Sequence, residues 1–560
     1  MSEETGFPAA APPLPDLYEA PLQELQHGLQ ARQFTSAQLV QAYLARIDEV
    51  NMRGPVLRAV IETNPGALQR AREIDAERDQ SEKPKGLLYG IPVLLKDNIA
   101  TLYEEGMNTT AGSFSLLGSV VPDDAGVVKR LREAGAIILG KTNLSEFGYF
   151  RGNVPSGWSA RGGQTTGAYA PHANPCGSSS GSGVAVSIGL APVALGTETD
   201  GSISCPAAHN NVVGVKPTLG LTSRAGGEHH YGLSFGRDAE ARHVVIPITT
   251  HQDSVGPMTR CVADAAAVLS VIAGRDPNDE STLTQPEAVP DYTQALDAGA
   301  LSGARVGVPR AYFMSREAGA GGSDRPREVE DAFERALGVL RELGAVVVDE
   351  ADLPSAWEFK GWEGERTVMK TDFKVEMNRY FEGLVENPSG VRSLKDLIKF
   401  NEENRALEMP EGYEDQSILI EAEATNGLDE AYFAALAKNR EMGATRGIDA
   451  VMEKYKLDAL VLPADGATST PAALAGYPIV TVPLGFFSAA VAAKNERPGG
   501  LVYPAPGAPL GLAFFGPAFS EFKLLGYAYA YEQRTRTRWA KKAYEAAVPR
   551  TQLGDIMPLY

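Results

Sequence analysis

Apolar and polar positions along this chain alternate in two periods, one helical and one of strands. Thr35-Ser-Ala-Gln38 has the form of a capping box, and Leu39, Val40, Tyr43, Leu44 and Ile47 behind it share one helical face. Ala67–Arg78 reads as a second, more polar helix. Leu87-Leu-Tyr-Gly-Ile-Pro-Val-Leu-Leu-Lys96 is a buried-strand run that ends on a lysine. Ala125–Ala134 follows as an amphipathic helix, Ala136–Leu139 as a short strand, and Asn143–Phe147 as the opening of another helix. Asn211–Val215 is strand-like, whereas Gly226–Val245 is polar, charged and glycine-bearing, the composition of a surface excursion. Asp264–Ala273 returns to helical spacing.

From about residue 304 a strand (Val306–Val308), a long helix (Arg327–Leu343) and a strand (Ala345–Val348) alternate as in an α/β sheet. Residues 355–445 are mostly charged amphipathic helix, expected to cap one end of the sheet. Asp458–Pro463 and Tyr477–Pro483 are again buried strand, and Phe519–Ala543 is a helix with Leu524, Leu525, Ala528 and Tyr531 on one face. The expected fold is α/β: a large mixed β-sheet flanked by helices, in one large domain over residues 21–560. Its core is expected at about 60–350 and 445–545, its helical cap at about 355–445, and a loose proline-rich arm at 1–20.

One stretch breaks the pattern. Asn174-Pro-Cys-Gly-Ser-Ser-Ser-Gly-Ser-Gly183 and Gly196-Thr-Glu-Thr-Asp-Gly-Ser-Ile-Ser-Cys205 are two serine-bearing, glycine-rich turns, and no charged residue stands between Pro171 and Thr197. Gly181–Leu190 suits a helix of about 10 residues, rising roughly 15 Å. Pro192–Gly196 suits a strand of about 5 residues, covering roughly 17 Å. If the strand runs back along the helix, the lengths nearly cancel, and Ser178 and Ser202 meet at one end. That makes a candidate nucleophile site.

Composition narrows the picture. The chain has 560 residues, of which 43% are hydrophobic and 22% charged, the balance of a soluble globular protein. A net charge of −19 with no long Lys/Arg run argues against a nucleic-acid partner. Three cysteines (Cys176, Cys205, Cys261) in so long a chain make no disulfide framework, and a reducing compartment is expected. The start, Met-Ser-Glu-Glu-Thr-Gly-Phe-Pro, is unlike a signal peptide. The uncharged stretch Gly466–Ala493 is interrupted by Pro471, Pro478 and Pro483, so it reads as loops and strands, not a bilayer span. A cytoplasmic protein without membrane attachment is expected.

Other motifs compete for the chemistry. Gly177-Ser-Ser-Ser-Gly181 fits a hydrolase nucleophile elbow centred on Ser179, but no strand precedes it and no histidine follows His251. Gly135-Ala-Ile-Ile-Leu-Gly-Lys-Thr142 spells a phosphate-binding loop, but its four variable residues are themselves the strand. His229, His230, His243 and His251 lie in a polar loop without zinc-site spacing and read as solvated. Cys176 and Cys205 have no paired histidine close in sequence and read as buried structural thiols, not nucleophiles.

Amide hydrolysis needs a nucleophile, a proton acceptor and donors for the oxyanion. With no well-placed histidine, lysine is the available base. A free lysine has a pKa of about 10.4, so desolvation must lower it by about 3 units to make it useful near neutrality. The apolar run before Lys96 could supply that desolvation, with a serine relaying the proton. At these residues the chain resembles the amidase signature family, whose members use a Ser–cis-Ser–Lys triad. The family's Gly-x-Pro-x-x-x-Lys-Asp run is matched by Gly90–Asp97, its Gly-Gly-Ser-Ser-Gly-Gly by Cys176–Gly181, and its Thr-Asp-x-Gly-Gly-Ser by Thr197–Ser202. The resemblance implies Lys96 as base, Ser178 as cis-peptide relay and Ser202 as nucleophile. It further implies the backbone N–H groups of Thr199, Asp200, Gly201 and Ser202 as oxyanion hole, with Ser179 and Thr197 in support. The likeness continues through Gly214–Thr218, Gln252–Pro257, Gly476–Pro483 and Tyr531–Gln533, nearly the whole chain.

Three departures bear on substrate: Glu198 replaces Asp, Asp200 replaces a glycine, and Ser204 stands where many members have arginine. Ser-Ser-Ser-Gly-Ser, Thr-Glu-Thr-Asp-Gly-Ser-Ile-Ser-Cys-Pro and Ser393–Asn401 look most similar to the peptide amidase branch, which deamidates C-terminal carboxamides. The 226–245 excursion is expected to border the mouth of the site. The expected activity is hydrolysis of linear carboxamides through a serine acyl-enzyme, releasing ammonia or an amine. No metal and no cofactor is implied. The only partner expected is a small-molecule or peptide amide substrate, with homodimerisation left open. Alternatives are a serine esterase or arylamide hydrolase, the ammonia-producing component of a tRNA-dependent amidotransferase, and a non-catalytic binding protein.

Overall fold

The computed structural model describes residues 13–80, 85–226, 244–315, 325–496 and 500–557. In chain order the strands among these are β1 (Val60–Thr63), β2 (Pro92–Lys96), β3 (Ile137–Thr142), β4 (Trp158–Ser159), β5 (Gly163–Gln164), β6 (Val193–Glu198), β7 (Val213–Lys216), β8 (Ser254–Thr259), β9 (Arg305–Val308), β10 (Val346–Asp349), β11 (Ala459–Pro463), β12 (Ile479–Phe486) and β13 (Pro509–Phe515). β4 and β5 pair with each other, and the remaining 11 form one sheet in the order β1-β3-β2-β6-β8-β7-β12-β13-β11-β9-β10. The runs β3-β2-β6 and β11-β9-β10 are parallel and the other pairings antiparallel, which is the mixed sheet expected. Every residue of β2, β3, β6, β7, β8, β11 and β13 is buried, because helices cover both faces. Such strands read as continuous apolar runs without alternation.

The helices follow their local signals. Thr35 Oγ1 accepts from Gln38 N–H at 3.1 Å while Gln38 Oε1 accepts from Thr35 N–H at 2.9 Å, closing the capping box of helix Ser36–Val50. One hydrophobic cluster extends from Leu17 to Leu553. Leu17, Tyr18 and Ala20 belong to it, so residues 17–20 are packed where a loose arm was expected. A second cluster joins Phe147 and Phe150 after β3 to Phe373, Met377, Leu394 and Leu419, from helices Gly364–Gly383, Leu394–Glu403 and Ser417–Glu423. The long segment between β10 and β11 is therefore helical and packs its own small core against the loop that follows β3.

Strands β1, β8 and β13 were not anticipated. Helix Glu521–Thr535 ends earlier than expected and gives way to a short 3-10 turn, Thr537–Ala540. Asn143–Phe147 opens no α-helix: a 3-10 turn, Glu146–Tyr149, stands there, with Phe147 at φ 46°. Most of the 226–245 excursion, residues 227–243 with His229, His230 and His243, lies outside the described residues.

Candidate active site

The two serine turns meet as their chain lengths suggested. Helix Ser180–Ser187 carries the chain away from the first turn and β6 brings it back to the second. The Ser179 N–H donates to the Ser202 carbonyl at 3.0 Å. The Gly177–Ser178 peptide bond is cis. Gly196 allows the contact: a Cβ there would lie 2.8 Å from Ser179 Oγ. Gly201, at φ +80°, makes the second turn.

Lys96 is the last residue of β2, whose parallel register with β6 pairs Leu95 with Leu195 and so sets Lys96 beside Thr197. Both project at carboxyl ends of parallel strands, where open α/β sheets place ligand sites. Lys96 is 0% exposed. Its Nζ lies 2.6 Å from Ser178 Oγ, 2.8 Å from Thr197 Oγ1 and 3.1 Å from the Thr197 carbonyl. All three neighbours are neutral. Burial pushes the Lys96 pKa down to about 7, against the opposing pull of Asp253 and Glu198. Thr197 Oγ1 also accepts from Asn98 Nδ2 at 3.1 Å, and Ser179 Oγ donates to the Thr197 carbonyl at 3.1 Å. Ser202 is 6% exposed.

Three carboxylates hold the second turn. Asp253 Oδ1 accepts from Thr199 Oγ1 at 2.6 Å, while its Oδ2 accepts from the N–H groups of Ile248 and Thr249 at 2.8 and 3.1 Å. Glu198 Oε2 accepts from the N–H groups of Ile203 and Ser204, both at 2.7 Å, and from Ser204 Oγ at 2.9 Å. Two departures from the family pattern, Glu198 and Ser204, are thus partners. Asp200 Oδ2 accepts from Thr470 Oγ1 at 2.9 Å. Sequence reasoning missed Asp253, Asn98 and Thr470. Only Asp253 lay in a family motif, Gln252–Pro257, where its partner Thr199 could not be inferred from spacing.

The cysteines correct an expectation. Cys176 and Cys205 form a disulfide, with an S–S distance of 1.98 Å and Cα atoms 5.8 Å apart, and Cys261 alone is a free thiol. Their sequence separation of 29 hides that they stand at the bases of two turns folded together. Among the described residues, Cys176, Cys205 and His209 are the one His/Cys/Asp/Glu group close enough to share a metal ion, and the disulfide occupies two of the three donors. The other motifs fall away. Lys141 is buried and donates to the Ile99 carbonyl at 2.6 Å and to Thr109 Oγ1 at 3.0 Å, so no phosphate cradle exists. His251 binds Asp372 at 2.8 Å.

Two cavities flank the turns. One is lined by Ser178, Thr197, Thr199, Phe147, Ile246 and Ile248, so the residues just after the 226–245 excursion share a cavity wall with Ser178. The other, about 230 Å³, lies between Cys176–Gly177 and Asp200–Gly201.

A desolvated lysine wired to hydroxyls, beside a glycine-rich turn at the carboxyl ends of a mixed sheet, is the equipment of a nucleophilic hydrolase. The family model described as Amidase matches residues 38–525, and the chain belongs to the amidase signature family. It is 41% identical over 528 residues to a probable amidase of Arabidopsis thaliana, covering 93% of this chain and 91% of that one. It resembles the X-ray structure of the peptide amidase from Stenotrophomonas maltophilia at 44% identity and a TM-score of 0.80, covering 96% of this chain and all of that one. A glutamyl-tRNA(Gln) amidotransferase component of Moorella thermoacetica is 33% identical over 539 residues, covering 93% of this chain and 97% of that one. The chain is an amide-hydrolysing enzyme. Among its described residues no helix is long and apolar enough to cross a membrane.

Proposed function

We propose that the chain hydrolyses linear carboxamides, C-terminal peptide amides foremost, through an acyl-enzyme on Ser202. The observation that carries this reading is the fully buried Lys96 Nζ at 2.6 Å from Ser178 Oγ, bonded among the described residues to neutral groups. Neutral Lys96 takes the Ser178 hydroxyl proton as Ser178 takes that of Ser202, and Ser202 Oγ attacks the amide carbon. The N–H groups of Thr199, Asp200, Gly201 and Ser202 receive the oxyanion, and Ser179 and Thr197 fix Lys96 and Ser178 in place. The proton returns through Ser178 to the leaving nitrogen, the C–N bond breaks, and ammonia or an amine departs. Water then attacks the ester, giving the acid and restoring Ser202. The likeness to a peptide amidase over whole chains supports the peptide amide as substrate. The Cys176–Cys205 disulfide supports an oxidising compartment in place of the cytoplasm expected.

Incubation with a panel of C-terminally amidated peptides, aryl amides and matched esters, with ammonia and free acids measured, tests this. Peptide acids plus equimolar ammonia are expected, and none from Ser202→Ala. Turnover that survives Ser202→Ala overturns the site, and turnover confined to aryl amides or esters overturns the substrate. The likeness to an amidotransferase component predicts instead that the purified chain is inert on simple amides without partner proteins.

A further inference from the structure

Helix Ser204–His209 follows the second serine turn and carries Cys205 and His209 four residues apart, on one face. Cys176, at the base of the first turn, meets that face. Its sulfur, that of Cys205 and one ring nitrogen of His209 all lie within 4.8 Å of one another. Asn174 orients two of the three residues: its Oδ1 accepts from the Cys176 N–H at 2.7 Å, and its carbonyl oxygen lies 3.0 Å from His209 Nδ1. A carbonyl only accepts, so Nδ1 carries the proton and Nε2 keeps its lone pair. The imidazole also stacks on the Tyr503 ring, with centroids 4.3 Å apart and planes at 14°. Metal-ligating histidines are held in this way, one nitrogen bonded to a carbonyl and the ring plane fixed. The reaction proposed above makes no use of this histidine.

We propose that Cys176, Cys205 and His209, once the disulfide between the cysteines is reduced, form a binding site for one thiophilic divalent cation of the Zn²⁺ kind. Both cysteines are only half-buried, so a small thiol reaches them. Two thiol molecules supply the electrons: they join as their own disulfide, the Cys176–Cys205 bond opens, and each cysteine gains a proton. The cation then displaces both thiol protons and binds two thiolates, which balance its charge, and the imidazole. Thiolate and imidazole donors select Zn²⁺ over the oxygen-seeking Mg²⁺ and Ca²⁺. A tetrahedral ion about 2.3 Å from each sulfur sets the sulfurs about 3.8 Å apart. Side-chain rotation reaches that separation from Cα atoms 5.8 Å apart. The fourth position falls to water, because both cysteines line the cavity of about 230 Å³. Asp465 lines the same cavity, but each of its carboxylate oxygens is taken by Arg325 at 2.8 Å. The two serine turns thus have interchangeable clips at their bases, a covalent one in oxidising surroundings and a metal ion in reducing ones.

Cobalt(II) is the probe, because its bonds to thiolate absorb in the near ultraviolet and a four-coordinate Co²⁺ ion gives intense visible bands. The full chain is reduced with a phosphine, which ends as its oxide; three titratable thiols confirm the reduction, and Co²⁺ is added without oxygen. The reduced wild type and Cys261→Ser are expected to bind one Co²⁺ per chain with both signatures, and Zn²⁺ to bleach them. The oxidised wild type, a comparison that needs no substitution, is expected to show neither. His209→Ala should weaken Co²⁺ binding by more than the roughly tenfold that losing an outer partner of a ligand costs. Cys176→Ser with Cys205→Ser should abolish the thiolate absorption. Zn²⁺ should raise the Tm of the reduced wild type and leave that of the oxidised chain where it is. A reduced wild type without thiolate absorption, equal absorption in the double serine variant, or an affinity unchanged in His209→Ala overturns the site. These readouts follow binding and not turnover, so the site stands or falls apart from the assignment of Ser202.

Discussion

On the proposed mechanism, Lys96 sets the acid side of the reaction. Its amine is charged below about 7 and neutral above it. A free lysine, with a pKa of about 10.4, would be neutral at pH 7 in only about one molecule in a few thousand. The rate of acyl-enzyme formation should therefore rise through about 7 with unit slope, as measured by kcat/KM against pH. Lys96→Ala should cost roughly 10²–10⁴-fold, the usual range for a lost general base. Asp253 offers a finer test, since it is the largest charge holding the Lys96 pKa up. In Asp253→Asn the amide can still meet Thr199 Oγ1, which switches from donor to acceptor, while the negative charge disappears. The acid limb should then move to lower pH. A limb that stays in place, or moves upward, means that the group titrating there is not Lys96.

At the scale of elements, the part of the site legible in the chain was the part written in lengths. A short uncharged helix and a strand of matching rise bring the two serine turns together, with Ser179 bonded to Ser202, and the lysine ending an apolar strand reaches Ser178 because β2 and β6 are neighbours. What stayed hidden depends on distant neighbours. β8 holds Gly256 and Pro257 in mid-strand, between β6 and β7, a composition that argues against a central strand until the partners are known. β1 is a four-residue edge strand with little burial pattern, and β13 starts on a proline.

Arg151 shows how such distant joints are made. It is 0% exposed, bonds the Glu146 carboxylate, lies 3.4 Å from Glu408 Oε2 and 3.2 Å from the Asp415 carbonyl, and its guanidinium is 5.1 Å from the centre of the Trp158 ring. Glu146 follows β3, and Glu408 belongs to the helical segment between β10 and β11, so this one side chain rivets the two. Removing a buried ion partner leaves an unpaired charge and costs about 3–5 kcal/mol. Arg151→Met should therefore release the helical segment first, read as protease cleavage within residues 364–440 ahead of global unfolding. Cleavage that instead begins in the sheet places the joint elsewhere.

Over the whole molecule, the two turns are fastened three times: by the Ser179–Ser202 backbone bond, by packing against Gly196, and by the Cys176–Cys205 disulfide. The disulfide is the fastening that depends on the surroundings of the protein. Closing a loop of this size restrains the unfolded chain by roughly 3–4 kcal/mol in the chain-entropy picture. It joins the turns at their bases, so the serines and the N–H groups proposed to receive the oxyanion sit on one cross-linked frame. Both cysteines are only half-buried, within reach of a small thiol reductant. Protein isolated without reductant and unfolded in guanidinium should therefore titrate a single thiol, that of Cys261, and three after reduction. The reduced enzyme, and Cys176→Ser with Cys205→Ser together, should inactivate faster on heating than the oxidised wild type, with the Ser202 labelling rate falling alongside. Three thiols in the unreduced protein would remove this frame and return the chain to the reducing compartment that its sparse cysteines first suggested.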